Sequence, residues 1–341
     1  MVIGFITYGQ TTAKYLPYFL PSLMAQTYVN LRLTAVDNSE AEDNENKKYI
    51  LKNFPAIKFQ WAGRNLGFAK AYNIMIKEAM ARGEKYFIAL NPDMILEPDF
   101  VVKIVKAIEA DKEIGAAAPK ILKWDFENNK KTDFIDSYGL FVTKSHRFSD
   151  SRQGEKDDPK AKPREVFGFT GAAVIFRLDA LRDAAFDNGR DDEYFDELMF
   201  MYKEDCDLSY RLRLAGWKIV FTPEAVAYHD RTASPLGNTS LKIALNRKNK
   251  SQQVKKWSFL NHWILLVKFS CLPHSLNVLL ATAWYQSKSL VYAALFERFL
   301  LKELVRLWKI RYKIRKRRDQ LKIRLSADKI KRLFDIDNHA L

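Results

Sequence analysis

The densest set of reactive side chains in this 341-residue chain lies between Asp191 and His229. Glu204, Asp205 and Asp207 fall within four residues there and open a helical pattern whose apolar positions include Leu208, Leu212 and Leu214. Acidic residues at a helix N-terminus answer the helix dipole, which accounts for one carboxylate well and for three poorly. The apolar, aromatic run 195–202 just before them sets Glu204 and Asp205 beside buried surface, where desolvation raises a carboxyl group toward the range of a general base. The pair is the first candidate for proton-transfer chemistry. His229 closes a strand-like stretch made of 218–221 and 225–228. A lone histidine is more often structural than a ligand, so its weight depends on its company.

Those groups need a scaffold, and the first 125 residues supply its pattern. Apolar runs at 2–8, 31–36, 58–61 and 86–90 alternate with helical periods at 15–26, 45–53, 67–82 and 98–110. This alternation predicts an α/β fold, a mainly parallel sheet flanked by helices. Ligands of such sheets sit beyond the carboxyl ends of the strands. The residues at those ends are Thr7 and Tyr8, then Asp37, then Gly63, Arg64, Asn65 and Gly67, then Asn91 and Asp93. Asp37 alone reads as an Asx-turn or a helix cap. Pro92 holds Asn91 extended and presents Asp93 at the sheet rim, where a metal-phosphate role is open to it. No GxGxxG follows the first strand and no Walker loop occurs. Gly63 and Gly67 instead suit a tight turn that offers the Arg64 cation to a phosphate. Gly168 and Gly171, ahead of the apolar 174–176, allow close backbone approach to a ligand or a bulge without function.

Composition excludes disordered and fibrous classes: 48% of the chain is hydrophobic and 28% charged. Two cysteines, Cys206 and Cys271, are too few for a Cys-ligated zinc site or a disulfide framework and fit a reducing compartment. The opening MVIGFITYGQ reads as a strand and not as a signal peptide. The net charge of +15 is uneven: 241–341 holds 23 Lys and Arg against 6 Asp and Glu, which leaves 33 against 35 for 1–240. We therefore divide the chain into a domain 1–240 and a helical, basic tail 241–341, with a turn-rich boundary at 230–240.

The tail carries Trp257, Trp263, Trp284 and Trp308 among long apolar runs, followed by KIRYKIRKRR. Its longest stretch free of Asp, Glu, Lys and Arg, 269–287, includes Pro273, His274, Asn277 and Gln286, a poor spanning helix. Tryptophans beside basic residues suit helices lying in the interface of an anionic membrane surface, peripherally on the cytoplasmic face of the plasma membrane. The competing expectation is a helical hairpin packed on the first domain with a solvated charged end. Nucleic acid is not expected, because 1–240 is near neutral and offers no second basic surface.

The ordered set TYG, SLMAQTY, VDNSE, GRNLGFAKAYN, LNPDM, GFTGAA, FDELMFMYKEDCDLSYRLRLAGW and YH resembles the family 2 glycosyltransferases of the GT-A fold. Within them it is most similar to the bacterial rhamnosyltransferase-like enzymes of cell-surface polysaccharide synthesis, over roughly residues 1–235. The resemblance implies an inverting transfer of a sugar, rhamnose or another deoxyhexose, from a nucleoside-diphosphate donor to a lipid-linked or polysaccharide acceptor. It assigns Thr7, Tyr8 and Asp37 to the base and ribose, and Arg64, Asn65, Gly67 and Gly171 to the same nucleotide-sugar pocket. Asp205 becomes the general base with Glu204 beside it. Asn91 and Asp93 take the place of the family's Asp-x-Asp motif, and Asp93 and His229 become protein ligands of Mg²⁺ or Mn²⁺. Trp217 either closes the pocket or packs. Two departures matter: Asn91 leaves Asp93 as the single carboxylate of that motif, and Gly9 is assigned no base contact. Asn91 keeps open a catalytically degenerate, membrane-associated protein that binds nucleotide or glycan, against which the intact Glu204–Asp205 pair argues.

Overall fold

The first half of the chain folds as its hydrophobic pattern predicts. In the computed structural model, which describes residues 1–231 and 250–336, the strands β1 (Val2–Thr7), β2 (Arg32–Asp37), β3 (Lys58–Trp61) and β4 (Tyr86–Leu90) lie parallel in the order β3-β2-β1-β4. Helices α1 (Gly9–Ala13), α2 (Leu16–Met24), α3 (Glu45–Asn53) and α4 (Gly67–Ala81) join them; α5 (Phe100–Glu109) follows the short β5 (Met94–Leu96). Every residue of β4 is buried, as a strand covered on both faces requires. Its neighbours Phe87 and Ile88 enter different hydrophobic clusters on opposite faces of the sheet. Helix α5 buries Phe100, Val101, Ile104, Val105 and Ile108, one stripe of a 3.6-residue period.

Beyond residue 113 the sheet becomes mixed. β6 (Ile114–Asp125), β7 (Lys130–Ser137), β8 (Leu140–Val142), β9 (Phe148–Asp150) and β10 (Arg164–Glu165) precede β11 (Ala173–Arg177) and α6 (Leu178–Asp183). The short strands β12 (Phe186–Asp187) and β13 (Asp192–Glu193) then lead to α7 (Glu204–Leu214) and β14 (Lys218–His229). Strand β11 inserts antiparallel between β4 and β6, giving the order β10-β14-β6-β11-β4-β1-β2-β3, while β5 pairs β14 and β7 pairs β6. The stretches 218–221 and 225–228 are one strand, interrupted by a register shift between Thr222 and Val226. That irregularity carries the chain across the proline and lets His229 end beside Met94 of β5.

The turn-rich boundary expected at 230–240, and with it the division between 240 and 241, lies outside the described residues apart from Asp230 and Arg231. The tail resumes with α8 (Gln252–Phe269), α9 (Leu276–Phe296), α10 (Leu301–Lys309), α11 (Arg311–Asp319) and α12 (Ala327–Arg332). Its helices are not equivalent. Leu260, Ile264 and Phe269 of α8 and Ile314 of α11 share one hydrophobic cluster with Tyr210 and Leu214 of α7, and the Tyr210 and Phe269 rings stack at 4.2 Å. Inside that contact the fully buried Lys268 ammonium bonds Asp196 and, at 2.5 Å, Asp207. Asp207 also accepts from Arg211 at 2.8 Å, and Arg317 of α11 reaches Glu193 at 2.6 Å. Burial alone would raise the Asp196 carboxyl, but Lys268 and Arg317 hold it below the usual carboxylate range. Helix α9, by contrast, turns an apolar stripe outward: Leu276, Leu280, Trp284, Val291 and Leu295 are exposed at four- and seven-residue spacings along one face. The tail thus packs on the first domain through α8 and α11 and leaves an apolar face of α9 exposed. No helix among the described residues is long and apolar enough to cross a membrane.

Candidate active site

The carboxyl ends of β1, β2 and β4, the entry to β11 and the end of β14 meet around one opening. Asp37 ends β2 fully buried: its Oδ1 accepts from Thr7 Oγ1 at 2.8 Å and from Ser39 Oγ at 2.6 Å, and its Oδ2 accepts from Asn44 Nδ2 at 2.8 Å. Asp37 therefore fixes the β1 and β2 ends against each other. Tyr8 is exposed beside it. The turn 62–67 is tied to the same place, since Ala62 N–H donates to the Asp37 carbonyl at 2.9 Å and Asn38 bonds both Leu66 N–H and the Gly67 carbonyl. Asn65 Oδ1 accepts from Gly67 N–H at 2.9 Å. Gly67 sits at φ +76°, and a Cβ there would lie 2.3 Å from the Phe200 carbonyl oxygen, so glycine is required both for its backbone and for that approach. Arg64 is exposed and makes no ion pair among the described residues.

Asn91 and Asp93 follow β4. The Asn91 amide N–H donates to the Ala172 carbonyl at 2.8 Å, which anchors this turn to the one ahead of β11. Asp93 Oδ1 and His229 Nε2 face each other at 3.2 Å as an ion pair, and neither buried atom has a hydrogen-bond partner elsewhere. The other ring nitrogen, Nδ1, lies 2.9 Å from Oδ2 of the fully buried Asp136 on β7, so Asp136 fixes the ring and leaves Nε2 toward Asp93. Burial works against a charged imidazole, but the flanking Asp93 and Asp136 carboxylates outweigh it and push His229 up to about 10. A divalent cation that displaced the imidazolium proton would find one oxygen and one imidazole nitrogen, with a carboxylate behind the ring, a set that fits it. No cluster of three or more His, Cys, Asp or Glu side chains suited to a metal occurs among the described residues. A cation here would have Asp93 and His229 as protein ligands and take the remainder from the diphosphate and water.

Asp205 closes the opening from the α7 side. Its Oδ2 accepts from Gly171 N–H at 3.1 Å and its Oδ1 from Cys206 N–H at 2.8 Å, leaving the half-buried carboxylate at the turn that also holds Asn91. Glu204 lies beneath, buried on all sides, and burial together with the neighbouring Asp205 pushes its carboxyl well above the usual range. Of the expected catalytic pair Asp205 keeps exposed surface and Glu204 is buried, while Asp207 is engaged by Lys268 and Arg211. Arg231 follows His229 and joins the two halves: it bonds Asp150 at 2.6 Å and lies 3.6 Å from Asp136 and 3.4 Å from Thr170 Oγ1. Trp217 packs against Gly115 and donates to Asp183 at 2.9 Å, outside the opening.

Asn44, Asp136, Thr170 and Arg231 complete the site without having stood out in the sequence. Asp136 and Asp150 lie in a region with no chemical spacing of its own, and only the β6–β7 pairing brings Asp136 under His229. Arg231 carries a usable signal, a cation two positions after the strand-ending histidine.

The family model described as glycosyl transferase family 2 matches residues 3–184. The N-acetylglucosaminyl-diphospho-decaprenol L-rhamnosyltransferase of Mycobacterium tuberculosis is 24% identical over 264 residues, 73% of this chain and 82% of that one. The rhamnosyltransferase WbbL of Escherichia coli K12 is 28% identical over 180 residues, 49% of this chain and 60% of that one. Among solved structures, GalNAc-T7 crystallised with UDP, GalNAc and Mn²⁺ superposes with a TM-score of 0.52 at 14% identity, over 80% of this chain. The chain spans about half the length of that protein, 52%.

Proposed function

Because the chain belongs to glycosyl transferase family 2 and is a glycosyltransferase of GT-A-like fold, we propose that it is an inverting enzyme of cell-envelope glycan synthesis. It moves a deoxyhexose such as rhamnose from a nucleoside-diphosphate donor onto a lipid-linked or polysaccharide acceptor. The rhamnosyltransferases named above support this choice of sugar and acceptor. The observation that carries the reading is Asp205, held by Gly171 N–H at the same turn that anchors Asn91 and Asp93. An in-line displacement at the anomeric carbon needs one group to take the acceptor proton and counter-charge for the departing diphosphate. Asp205 takes the proton at its free lone pairs. The neutral Glu204 beside it adds no second negative charge. Arg64 and the tied turn 62–67 hold the phosphates, while Thr7, Tyr8 and Asp37 frame the base and ribose.

Asp93 and His229 would hold Mg²⁺ or Mn²⁺, which when bound neutralises charge on the leaving diphosphate. A thermal-shift panel of uridine, thymidine and guanosine diphosphates with and without Mn²⁺ tests this, because a ligand of the native state raises the melting temperature by mass action. One nucleotide is expected to give a Mn²⁺-dependent rise that Asp93→Ala abolishes. An unchanged metal response in that variant would take Asp93 off the ligand set, and no response to any nucleotide would sink the donor site.

The same reading places the enzyme peripherally on the cytoplasmic face of the plasma membrane. Besides the exposed stripe of α9, Val305 and Trp308 of α10 and Tyr312 of α11 are exposed. Cations sit on the exposed tryptophans: Lys288 lies 5.2 Å from the Trp284 ring and Arg311 3.8 Å from that of Trp308. Indole rings flanked by basic side chains match an anionic bilayer surface, apolar below the headgroups and negative at them. Replacing Trp284 and Trp308 together by Ala is expected to weaken cosedimentation with phosphatidylglycerol vesicles by about tenfold or more, with the fold intact. Equal binding of wild type to neutral phosphatidylcholine vesicles would remove the electrostatic part of the argument.

A further inference from the structure

We propose that Asn261, on the tail helix α8, is a positioning residue for Asp205, so that the tail is part of the working site and not only its support. The inference rests on Asp205 acting as the base. Asn261 is buried, and its Nδ2 donates to two successive carbonyls, Met201 at 2.9 Å and Tyr202 at 2.7 Å. These carbonyls belong to an unusual turn. Tyr202 and Lys203 sit at φ +72° and +69°, in the left-handed region that side chains other than glycine enter only when their surroundings hold them there. Helix α7 starts on the next residue, and no side chain caps it: Lys203 occupies the cap position without a capping bond. The direction of the first turn of α7, and with it the Asp205 carboxylate, is therefore set by the 201–203 backbone.

The residue just before this turn is gripped by the tail helix and by the donor-pocket turn. The Phe200 ring stacks on Trp257 of α8 at 4.9 Å, while the Phe200 carbonyl accepts from Phe68 N–H at 2.8 Å and fills the space a Cβ on Gly67 would take. Residues 200–203 thus run between the tail helix and the turn of the donor pocket. Two amide protons from one rigid side chain fix the part of this run that leads into Asp205. Losing them frees the left-handed pair to relax, and Asp205 leaves the Gly171 N–H that aims it.

The test compares wild type, Asn261→Ala, the near-isosteric Asn261→Asp and Asp205→Asn, with uridine and thymidine diphosphate rhamnose as donors and N-acetylglucosaminyl-diphospho-decaprenol as acceptor. Nucleoside diphosphate affinity and melting temperature are measured alongside. Both Asn261 variants are expected to lose at least tenfold in kcat while donor KM and nucleoside diphosphate Kd stay within twofold. A merely structural role would lower activity in proportion to the folded fraction and leave kcat per folded molecule unchanged, which overturns the inference. Should Asn261→Ala fail to fold, Asn261→Ser, which keeps a single donor, is read by the same split. Turnover in Asp205→Asn would remove the base and this inference together. An inactive Asp205→Asn beside Asn261 variants of wild-type kcat would remove this inference alone.

Discussion

Asp205→Asn is expected to lower sugar transfer by about 10²- to 10⁴-fold, the range for loss of a general base, while nucleoside diphosphate affinity stays within twofold. The substitution is close to isosteric. An asparagine oxygen can still accept from Gly171 N–H, the contact that aims the side chain at 3.1 Å, but its NH2 cannot accept from Cys206 N–H as Oδ1 does at 2.8 Å, so one hydrogen bond is lost together with the capacity to take a proton. Glu204 offers no replacement, since it is buried and that burial, which the substitution leaves in place, still pushes its carboxyl above the usual range. Glu204→Gln is the companion measurement and should retain most activity. The sign of its stability effect also follows. A carboxyl whose folded-state value is raised keeps its proton in the native state where the unfolded chain releases it, so stability falls as pH rises above the ordinary carboxyl range. The glutamine variant lacks that slope. Full activity in Asp205→Asn, measured with matched nucleotide affinity, would reject Asp205 as the base.

The second large effect is on stability. Lys268→Met should cost about 3–5 kcal/mol, the range for breaking a buried ion pair by removing one partner. Lys268 is fully buried between Asp196 and Asp207, and these carboxylates have no water to replace it. Arg317 and Arg211 compensate in part, one 3.6 Å from Asp196 and the other 2.8 Å from Asp207. The contact joins α8 and α11 to α7, so the loss should appear in urea unfolding as a lower midpoint for the catalytic domain as well as for the tail. A change below about 1 kcal/mol, the scale of an exposed pair, would mean that α8 is not integral to the domain. Because α8 also carries Asn261, the two experiments separate support from positioning: Lys268→Met acts on the folded fraction, Asn261→Ala on the rate of the folded enzyme.

Strands β1 to β4 and the helices between them were legible because each apolar run had one period and short-range turn residues bounded it. Thr7, Asp37, Asn91 and Asp93 could be placed at strand ends for that reason alone. Asp205 and His229 stood out by their neighbours, and the resemblance added their roles as base and metal ligand. Nothing local announced that β11 would enter antiparallel between β4 and β6, since strand partners far apart in the chain are chosen by packing and not by the residues next to them. Asp136 and Asn261 stayed hidden for the same cause. One lies on a polar-looking strand, the other within a helix of the basic tail that shows no amphipathic face, and each acquires its role only from a partner 93 or about 60 residues away.

The amino-acid sequence by itself determined the α/β class, the strand ends that form the opening, the family and the uneven charge, because these follow from periodicity, turn chemistry and short motifs. Tertiary structure decided which carboxylates are free to act. Asp37, Asp205 and Asp207 are the same residue type, but Asp37 is consumed by Thr7, Ser39 and Asn44, Asp207 by Lys268 and Arg211, and Asp205 alone keeps exposed surface beside Gly171. Burial and pairing set the chemistry of a carboxyl group, and both are properties of distant contacts.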